Sequence, residues 1–159
     1  MKNLMVAMVA LMSVGLLACE NVDSEDVMTS GVYADITGTA DGAGSTLVKT
    51  SLRVGGATSN TFLDLMGEDR LVATQAEDEK DMIQRKLLGS VWYEASFDVD
   101  AADTAFAVGF LRAVDEGAPE STFTMPAPFA FTAPAADTSF SRATDDITLD
   151  QTKPTGSVT

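Results

Sequence analysis

Three aspartates in one loop carry the sharpest signal for chemistry in this sequence. Asp98, Asp100 and Asp103 lie close together between two segments with the alternation of strands. Crowded carboxylates in such a loop can coordinate calcium, which takes about six to eight oxygen ligands. Their spacing does not match the EF-hand loop, and a solvated loop without metal is the alternative. Calcium at these aspartates is the one cofactor that the sequence suggests.

The second candidate is the single tryptophan, Trp92. Because side chains alternate between the two faces of a strand, Trp92 and its neighbour Tyr93 are predicted on opposite faces. If Trp92 faces solvent near Phe62, we expect the two rings to form a platform on which sugar rings stack, as in carbohydrate-binding modules. The alternative is that Trp92 packs under the loop of residues 75–88 or is buried against a second sheet.

The residue types that are absent exclude several classes of enzyme. The chain has no histidine, so catalysis by Ser-His-Asp or Cys-His groups and metal sites built on histidine are excluded. No phosphate-binding loop, dinucleotide-binding glycine pattern or Gly-x-Ser-x-Gly elbow occurs. Two carboxylates across a cleft would suffice for a glycosidase, but nothing in the sequence marks such a pair. We therefore expect no enzyme, with a small carboxylate-based hydrolase as a remaining alternative.

The only cysteine, Cys19, ends a distinctive N-terminal segment. Lys2 gives the start a positive charge, and residues 4–17 are almost wholly apolar. This apolar run is shorter than the roughly 20 residues that a membrane-spanning helix needs. Its length and flanks are typical of a secretory signal peptide. A conventional signal peptide followed by an incidental free or buried cysteine is one interpretation.

The residues Leu16-Leu17-Ala18-Cys19 resemble the lipobox of bacterial lipoproteins. The resemblance implies that the chain is cut before Cys19, that its sulfur receives a diacylglyceryl group, and that its new amine is acylated. Leu17 departs slightly from the pattern, where a smaller residue is more usual. Several acyl chains make a stable membrane anchor, whereas one holds a protein only marginally. Glu20 does not match the Asp that retains some lipoproteins at the inner membrane, so the resemblance favours the outer membrane.

The charge balance limits the partners. The formal net charge is −14, and loss of residues 1–18 removes one lysine and no acid, which makes it −15. Such a chain should repel nucleic acid and anionic lipid surfaces. The expected partners are therefore the lipid bilayer, through an acylated Cys19, and an envelope protein or a glycan.

Short segments of period-two alternation, separated by turns, predict an all-β fold. Their spacing favours an antiparallel β-sandwich of the immunoglobulin-like kind over residues 31–126. Residues 82–88 fit a helical turn or a strand, and the neighbouring strands favour the strand. Residues 75–81 are predicted as a solvated acidic loop. The predicted core consists of Val32, Ile36, Val48, Leu52, Val54, Leu63, Leu65, Val91, Tyr93, Phe97, Phe106, Val108 and Phe110.

The two ends of the mature chain are predicted to differ from this body. Residues 19–30 are acidic and polar, which is typical of a flexible tether. Prolines at 126, 128 and 134 mark a junction. Residues 127–159 then resemble the start of an immunoglobulin-like or fibronectin-like repeat that is incomplete, or they add strands to the first domain before a polar tail.

Together these features predict an envelope lipoprotein that is anchored to the outer membrane and carries a structural or binding β-sandwich module. A carbohydrate- or calcium-binding adhesion module is the first alternative.

Overall fold

The computed structural model describes residues 20–127, 131–135 and 137–151. These residues form strands and two short 3-10 turns, with no α-helix among them. The strands are β1 (Glu20–Asp23), β2 (Val32–Ala40), β3 (Thr46–Val54), β4 (Thr61–Asp64), β5 (Arg70–Gln75), β6 (Asp78–Asp81), β7 (Ile83–Leu87), β8 (Ser90–Phe97), β9 (Ala105–Leu111), β10 (Ala118–Thr124), β11 (Phe131–Ala133) and β12 (Asp150–Gln151). The all-β expectation is confirmed.

Two sheets enclose one core. The first sheet runs β1-β4-β3-β8-β7, with β2 on the other edge of β3, and the second runs β10-β9-β5-β6. All pairs are antiparallel except β1 and β4, which run parallel. The first sheet is therefore mixed, and the expectation of a purely antiparallel arrangement is corrected.

The period-two alternation located the core well. Nine of the predicted core residues are buried, and the remaining four (Val32, Ile36, Val54 and Leu65) are partly buried against them. Phe97 packs edge-on against Phe106, with ring centroids 5.4 Å apart, and Phe106 stacks on Phe123. Burying each such side chain stabilises the fold by about 1.5–3 kcal/mol. The buried hydrophobic residues that the alternation did not predict are Phe62, Leu71, Val72, Ala73, Met82, Ala95 and Met125.

The segment predicted as a flexible tether is part of the fold. Residues Glu20–Asp23 form β1, which pairs in parallel with β4 from Glu20 opposite Thr61 to Asp23 opposite Asp64. Ser24 is fully buried, and its hydroxyl accepts a hydrogen bond from the Met66 amide (3.0 Å). The polar backbone of this segment is thus satisfied by the body of the protein instead of by water.

Two further segments differ in how well the pattern predicted them. Residues 75–81 are not an open loop, because Asp78–Asp81 returns as β6 alongside β5 after a tight turn in which Ala76 has a φ of 52°. The preference for a strand over residues 82–88 is confirmed, since β7 covers most of that stretch. In the C-terminal region β11 pairs with β12, and within the described residues neither joins the two larger sheets. The domain boundary near residue 126 stays a prediction.

Candidate functional site

The outer face of the first sheet carries a group of four side chains that we call the Trp92 cluster: Lys49, Arg85, Trp92 and Glu94. Val91 and Tyr93 point into the core, so the alternating residues Trp92 and Glu94 face outward. Lys49 lies opposite Glu94 on β3, and Arg85 lies opposite Trp92 on β7. Sheet register alone therefore places these four residues together.

Glu94 is the centre of this cluster. Its Oε1 accepts a hydrogen bond from Arg85 Nε (2.6 Å), and its Oε2 accepts one from Trp92 Nε1 (3.0 Å). The hydrogen bonds from Arg85 and then Trp92 hold the pKa of Glu94 below its ordinary value, against the opposing effect of burial. The ammonium group of Lys49 lies 4.6 Å from the centre of the indole ring, within cation–π range.

These contacts bear on the predicted sugar platform. The indole nitrogen of Trp92 already has an acceptor, and Lys49 lies over the ring. Phe62, the expected second aromatic residue, is only 6 % exposed, and the Arg53 guanidinium lies 5.1 Å from its ring centre. Phe62 therefore offers no open ring face, and any glycan contact would depend on Trp92 with its polar neighbours.

The structure shows what the backbone and one carboxylate of the aspartate loop contact, and calcium binding there stays a prediction. Asp100 Oδ2 accepts a hydrogen bond from the Gly44 amide (2.9 Å), which ties two loops together. The backbone of Asp103 has a φ of 61°, and its amide donates to Met125 O (2.9 Å). Within the described residues, which include Asp98 and the other two, no group of three or more acidic or thiol side chains is arranged to hold a metal ion. These contacts connect the loop to Gly44 and Met125 at this end of the body.

Arg112 forms a buried ion pair with Asp69 that the sequence pattern does not predict. Arg112 Nε donates to Asp69 Oδ2 (3.1 Å), and its other nitrogens donate to Val27 O (2.8 Å) and Ser24 O (2.5 Å). Burial acts to raise the pKa of Asp69, but hydrogen bonds from the Ala113 amide, Ser24 and Arg112 outweigh it and hold the pKa below the ordinary value. This group fastens the N-terminal segment to the body. A single arginine after an apolar strand carries no local signal of such a role.

A narrow apolar cleft lies between the edge strands β2 and β10. Its volume is about 50 Å³, and its lining includes Leu52, Leu71, Val108 and the hydroxyl-bearing Thr50. Pockets for small organic ligands usually measure about 300–1,000 Å³. The cleft is large enough for water and too small for a ligand of that kind.

The turn between β7 and β8 projects two leucines. Leu87 is 63 % exposed and Leu88 is 91 % exposed. Gly89 follows, and its carbonyl accepts a hydrogen bond (3.0 Å) from the side chain of Asn21, with the amide in the orientation that satisfies its hydrogen bonds. This turn, which we call the Leu88 tip, therefore lies beside the first strand of the fold.

Cys19 lies outside the described residues. The chain that follows it is ordered at once, since the Glu20 amide donates to Asn60 O (3.2 Å). No known protein family, curated protein or solved structure matches this chain. The chain's own residues are therefore the basis for a function. No helix in the described ranges is long and apolar enough to cross a membrane.

Proposed function

We propose that this protein is an envelope lipoprotein, anchored at the outer membrane through acylated Cys19, whose β-rich body is a non-catalytic structural or binding module. In this proposal the two-sheet body acts as an immunoglobulin-like sandwich. The observation that carries it is the sequence Leu16-Leu17-Ala18-Cys19 behind an apolar run of signal-peptide length.

The position of the core supports the proposal. The buried core residues of the described chain lie between Val48 and Met125, and the partly buried residues that pack on them begin at Val27. A cut before Cys19 therefore removes no described core residue. The mature body therefore keeps every apolar contact that the described core residues make with one another.

The start of β1 gives the anchor a structural consequence. Because Glu20 is already paired with Thr61, an acylated Cys19 is joined to the folded body without an intervening tether. Two residues span at most about 7 Å, so the acyl chains hold the Glu20 end of the body at the bilayer surface. The module then presents its opposite end, with the Asp98–Asp103 loop, away from the lipid.

The intact mass of the mature protein extracted from membranes tests the proposal. We expect a mass that matches residues 19–159 plus acyl groups, together with its loss in a Cys19→Ser variant. Fractionation should move that variant from the membrane to the soluble fraction. An unmodified mass with a free Cys19 thiol, or a cut at another position, would overturn the proposal.

Glycan recognition at Trp92 is the second candidate function. It is favoured by the outward position of Trp92 and by the charged groups of Lys49, Arg85 and Glu94 around it. In such a site the ligand stacks on an aromatic ring, and polar side chains around that ring form hydrogen bonds with the ligand. Titration with envelope glycans should quench the fluorescence of this single tryptophan, and unchanged emission would reject the candidate.

A further inference from the structure

The Leu88 tip combines two features that are unfavourable in water. Leu88 and Gly89 have φ angles of 50° and 85°, the positive values of a two-residue type I′ hairpin turn. At the first of these positions asparagine is favoured, and a leucine is disfavoured because its Cβ crowds the backbone. The same leucine is also almost fully exposed. Folding of the isolated body therefore gives no reason for leucine here.

The place of the tip in the fold supplies a reason. The side-chain amide of Asn21 lies 3.0 Å from Gly89 O in the orientation that satisfies its hydrogen bonds, and Asn21 is two residues from Cys19. Two residues span at most about 7 Å, so Leu88 lies close to the point at which the lipid anchor of the proposed function would leave the chain. An apolar turn at that point meets the bilayer first.

The charge around the tip is compatible with lipid headgroups. Although the chain has 24 acidic residues, none occurs between Gln84 and Tyr93, and the tip is preceded by Arg85 and Lys86. The Arg85 side chain pairs with Glu94 (2.6 Å) and the Lys86 side chain with Asp64 (2.5 Å), so the charges of these two acids on neighbouring strands are neutralised. The tip itself therefore carries no acidic residue, although the chain as a whole is strongly acidic.

From these observations we infer that the Leu88 tip inserts Leu87 and Leu88 into the bilayer beside the acylated Cys19, as a second, non-covalent contact with the membrane. This inference rests on the proposed function, since the anchor brings the tip to the lipid. The contact fixes the orientation of the body, because an anchor at one point allows rotation and two neighbouring contacts restrict it. Side chains with a cationic end next to apolar ones suit the interface between headgroups and acyl chains.

The test separates the tip from the anchor by supplying the anchor chemically. In the unacylated mature chain the thiol of Cys19 is coupled to a maleimide phospholipid in vesicles of phosphatidylethanolamine and phosphatidylglycerol. Trp92→Phe removes the native tryptophan, and Leu88→Trp places a single one at the tip. Lipids with brominated acyl chains should then quench its emission severalfold, and aqueous acrylamide should quench it little.

The matched control is Leu47→Trp in the same Trp92→Phe background. Leu47 is a 37 % exposed apolar residue on β3, opposite Ser96 on β8, and lies toward the end of the body that carries the Asp98–Asp103 loop, away from the tip. It should be quenched by acrylamide and not by the brominated lipids. Leu87→Trp replaces Leu88→Trp if the latter does not fold. Equal quenching of tip and control by acrylamide, with none by brominated lipid, overturns the inference even when the mass of the native protein confirms acylation.

A second variant distinguishes insertion from a structural role. Asparagine adopts a positive φ more easily than leucine, so Leu88→Asn should raise the melting temperature of the soluble Cys19→Ser chain. In the membrane-coupled protein it should instead lower the protection of the tip, measured by hydrogen exchange at Gly89 and Ser90 with and without vesicles. A lower melting temperature of the soluble variant, or unchanged protection on vesicles, contradicts the inference.

Discussion

Arg112 Nε donates a hydrogen bond to Asp69 Oδ2 across 3.1 Å, and both side chains are only 1 % exposed. Asp69 directly precedes β5 and Arg112 directly follows β9, and these strands pair with Arg70 opposite Leu111. The pair therefore closes one end of the second sheet. Because Arg112 also donates to the carbonyls of Ser24 and Val27, the same guanidinium holds the N-terminal segment against the body.

Replacing Arg112 should be severely destabilising. Arg112→Met leaves the buried Asp69 carboxylate without its counter-ion, and breaking a buried pair from one side typically costs about 3–5 kcal/mol. The free energy of unfolding, measured in urea, should fall by that amount. The segment of residues 20–31 should also become sensitive to protease.

Two comparisons make this prediction specific. Arg70→Met removes an exposed ion pair with Asp81 at 3.7 Å and should change stability by no more than about 1 kcal/mol. The double variant Arg112→Met/Asp69→Leu removes both buried charges and should recover much of the lost stability. Equal effects of Arg112→Met and Arg70→Met would show that the buried pair does not hold the segment.

Stability should decline in acid. Burial acts to raise the pKa of Asp69, but hydrogen bonds from the Ala113 amide, Ser24 and Arg112 hold it below 3.8, its ordinary value. Hydrogen bonds from Thr29 and the Glu116 amide lower the pKa of Asp115 likewise. The unfolded chain then binds more protons than the folded one as the pH falls through 3.8. This contribution is full above that pH and is lost below it, toward the folded pKa values.

Urea midpoints measured between about pH 6 and pH 3 check this dependence. The midpoint should be level near neutrality and drop at the acid end, and an Asp69→Asn variant should show a shallower drop from a lower starting value. A midpoint that stays constant over the whole range, or that rises in acid, would contradict the assignment.

Two buried threonines on β3 should respond oppositely to the same substitution. Thr46 Oγ1 donates to Val99 O (2.6 Å), whereas Thr50 Oγ1 has no hydrogen-bond partner among the described residues, and both residues are fully buried. Thr46→Val should cost about 1 kcal/mol, because a made bond is lost. Thr50→Val should be neutral or stabilising, since an unpaired hydroxyl leaves the interior.

Each threonine variant serves as the control for the other, because valine has nearly the same shape and both sites lie on one strand. Urea denaturation of the two variants beside the native protein gives the comparison. Equal destabilisation by both substitutions would mean that Thr50 Oγ1 makes a hydrogen bond of similar value.

Trp92 should report the protonation of Glu94. The hydrogen bond from Arg85, and next that from Trp92, lower the pKa of Glu94 below its ordinary value of 4.5. The emission of the single tryptophan should therefore change in a step below pH 4.5, when Glu94 becomes neutral and the indole N–H loses a charged acceptor. Arg85→Met should move that step toward higher pH.

Lys86→Met is the neighbouring control for this titration. The Lys86 amine pairs with Asp64 instead of Glu94, so its removal should leave the step in place. A step that does not move in Arg85→Met, or that moves equally in both variants, would show that Arg85 does not set the ionisation of Glu94.

The strands and much of the core could be predicted from local pattern. Alternation over residues such as Val48, Thr50 and Leu52 decides which side chains face inward, because the pleat of a strand has a period of two. The same reasoning places Tyr93 inside and Trp92 on the opposite face of the strand, and only the structure shows that this face is turned outward. The four residues of β6 are all charged and mostly exposed at the sheet edge, so they show no apolar alternation and the pattern predicts a loop there.

The sites could not be predicted in this way. Asp98, Asp100 and Asp103 are close in sequence, but a metal site needs oxygen atoms that converge, and sequence spacing does not show whether they do. In the structure the Asp100 carboxylate accepts a hydrogen bond from the Gly44 amide. Arg112 is separated from Ser24 by 88 positions, and nothing near either residue signals the contact. The position of the Leu88 tip near the N-terminal segment is shown only by its contact with Asn21, which is distant in sequence.

The sequence by itself determined the all-β class, the inward-facing residues, the acidic charge and the N-terminal lipobox resemblance, since each depends on residue type and short-range spacing. Only the tertiary structure decided that residues 20–31 belong to the body, that β1 runs parallel to β4, and that the exposed leucines lie beside β1. Those features depend on which distant segments meet. Contacts between segments that are distant in sequence are determined by the total burial and hydrogen bonding of the folded chain, and no short segment carries that information.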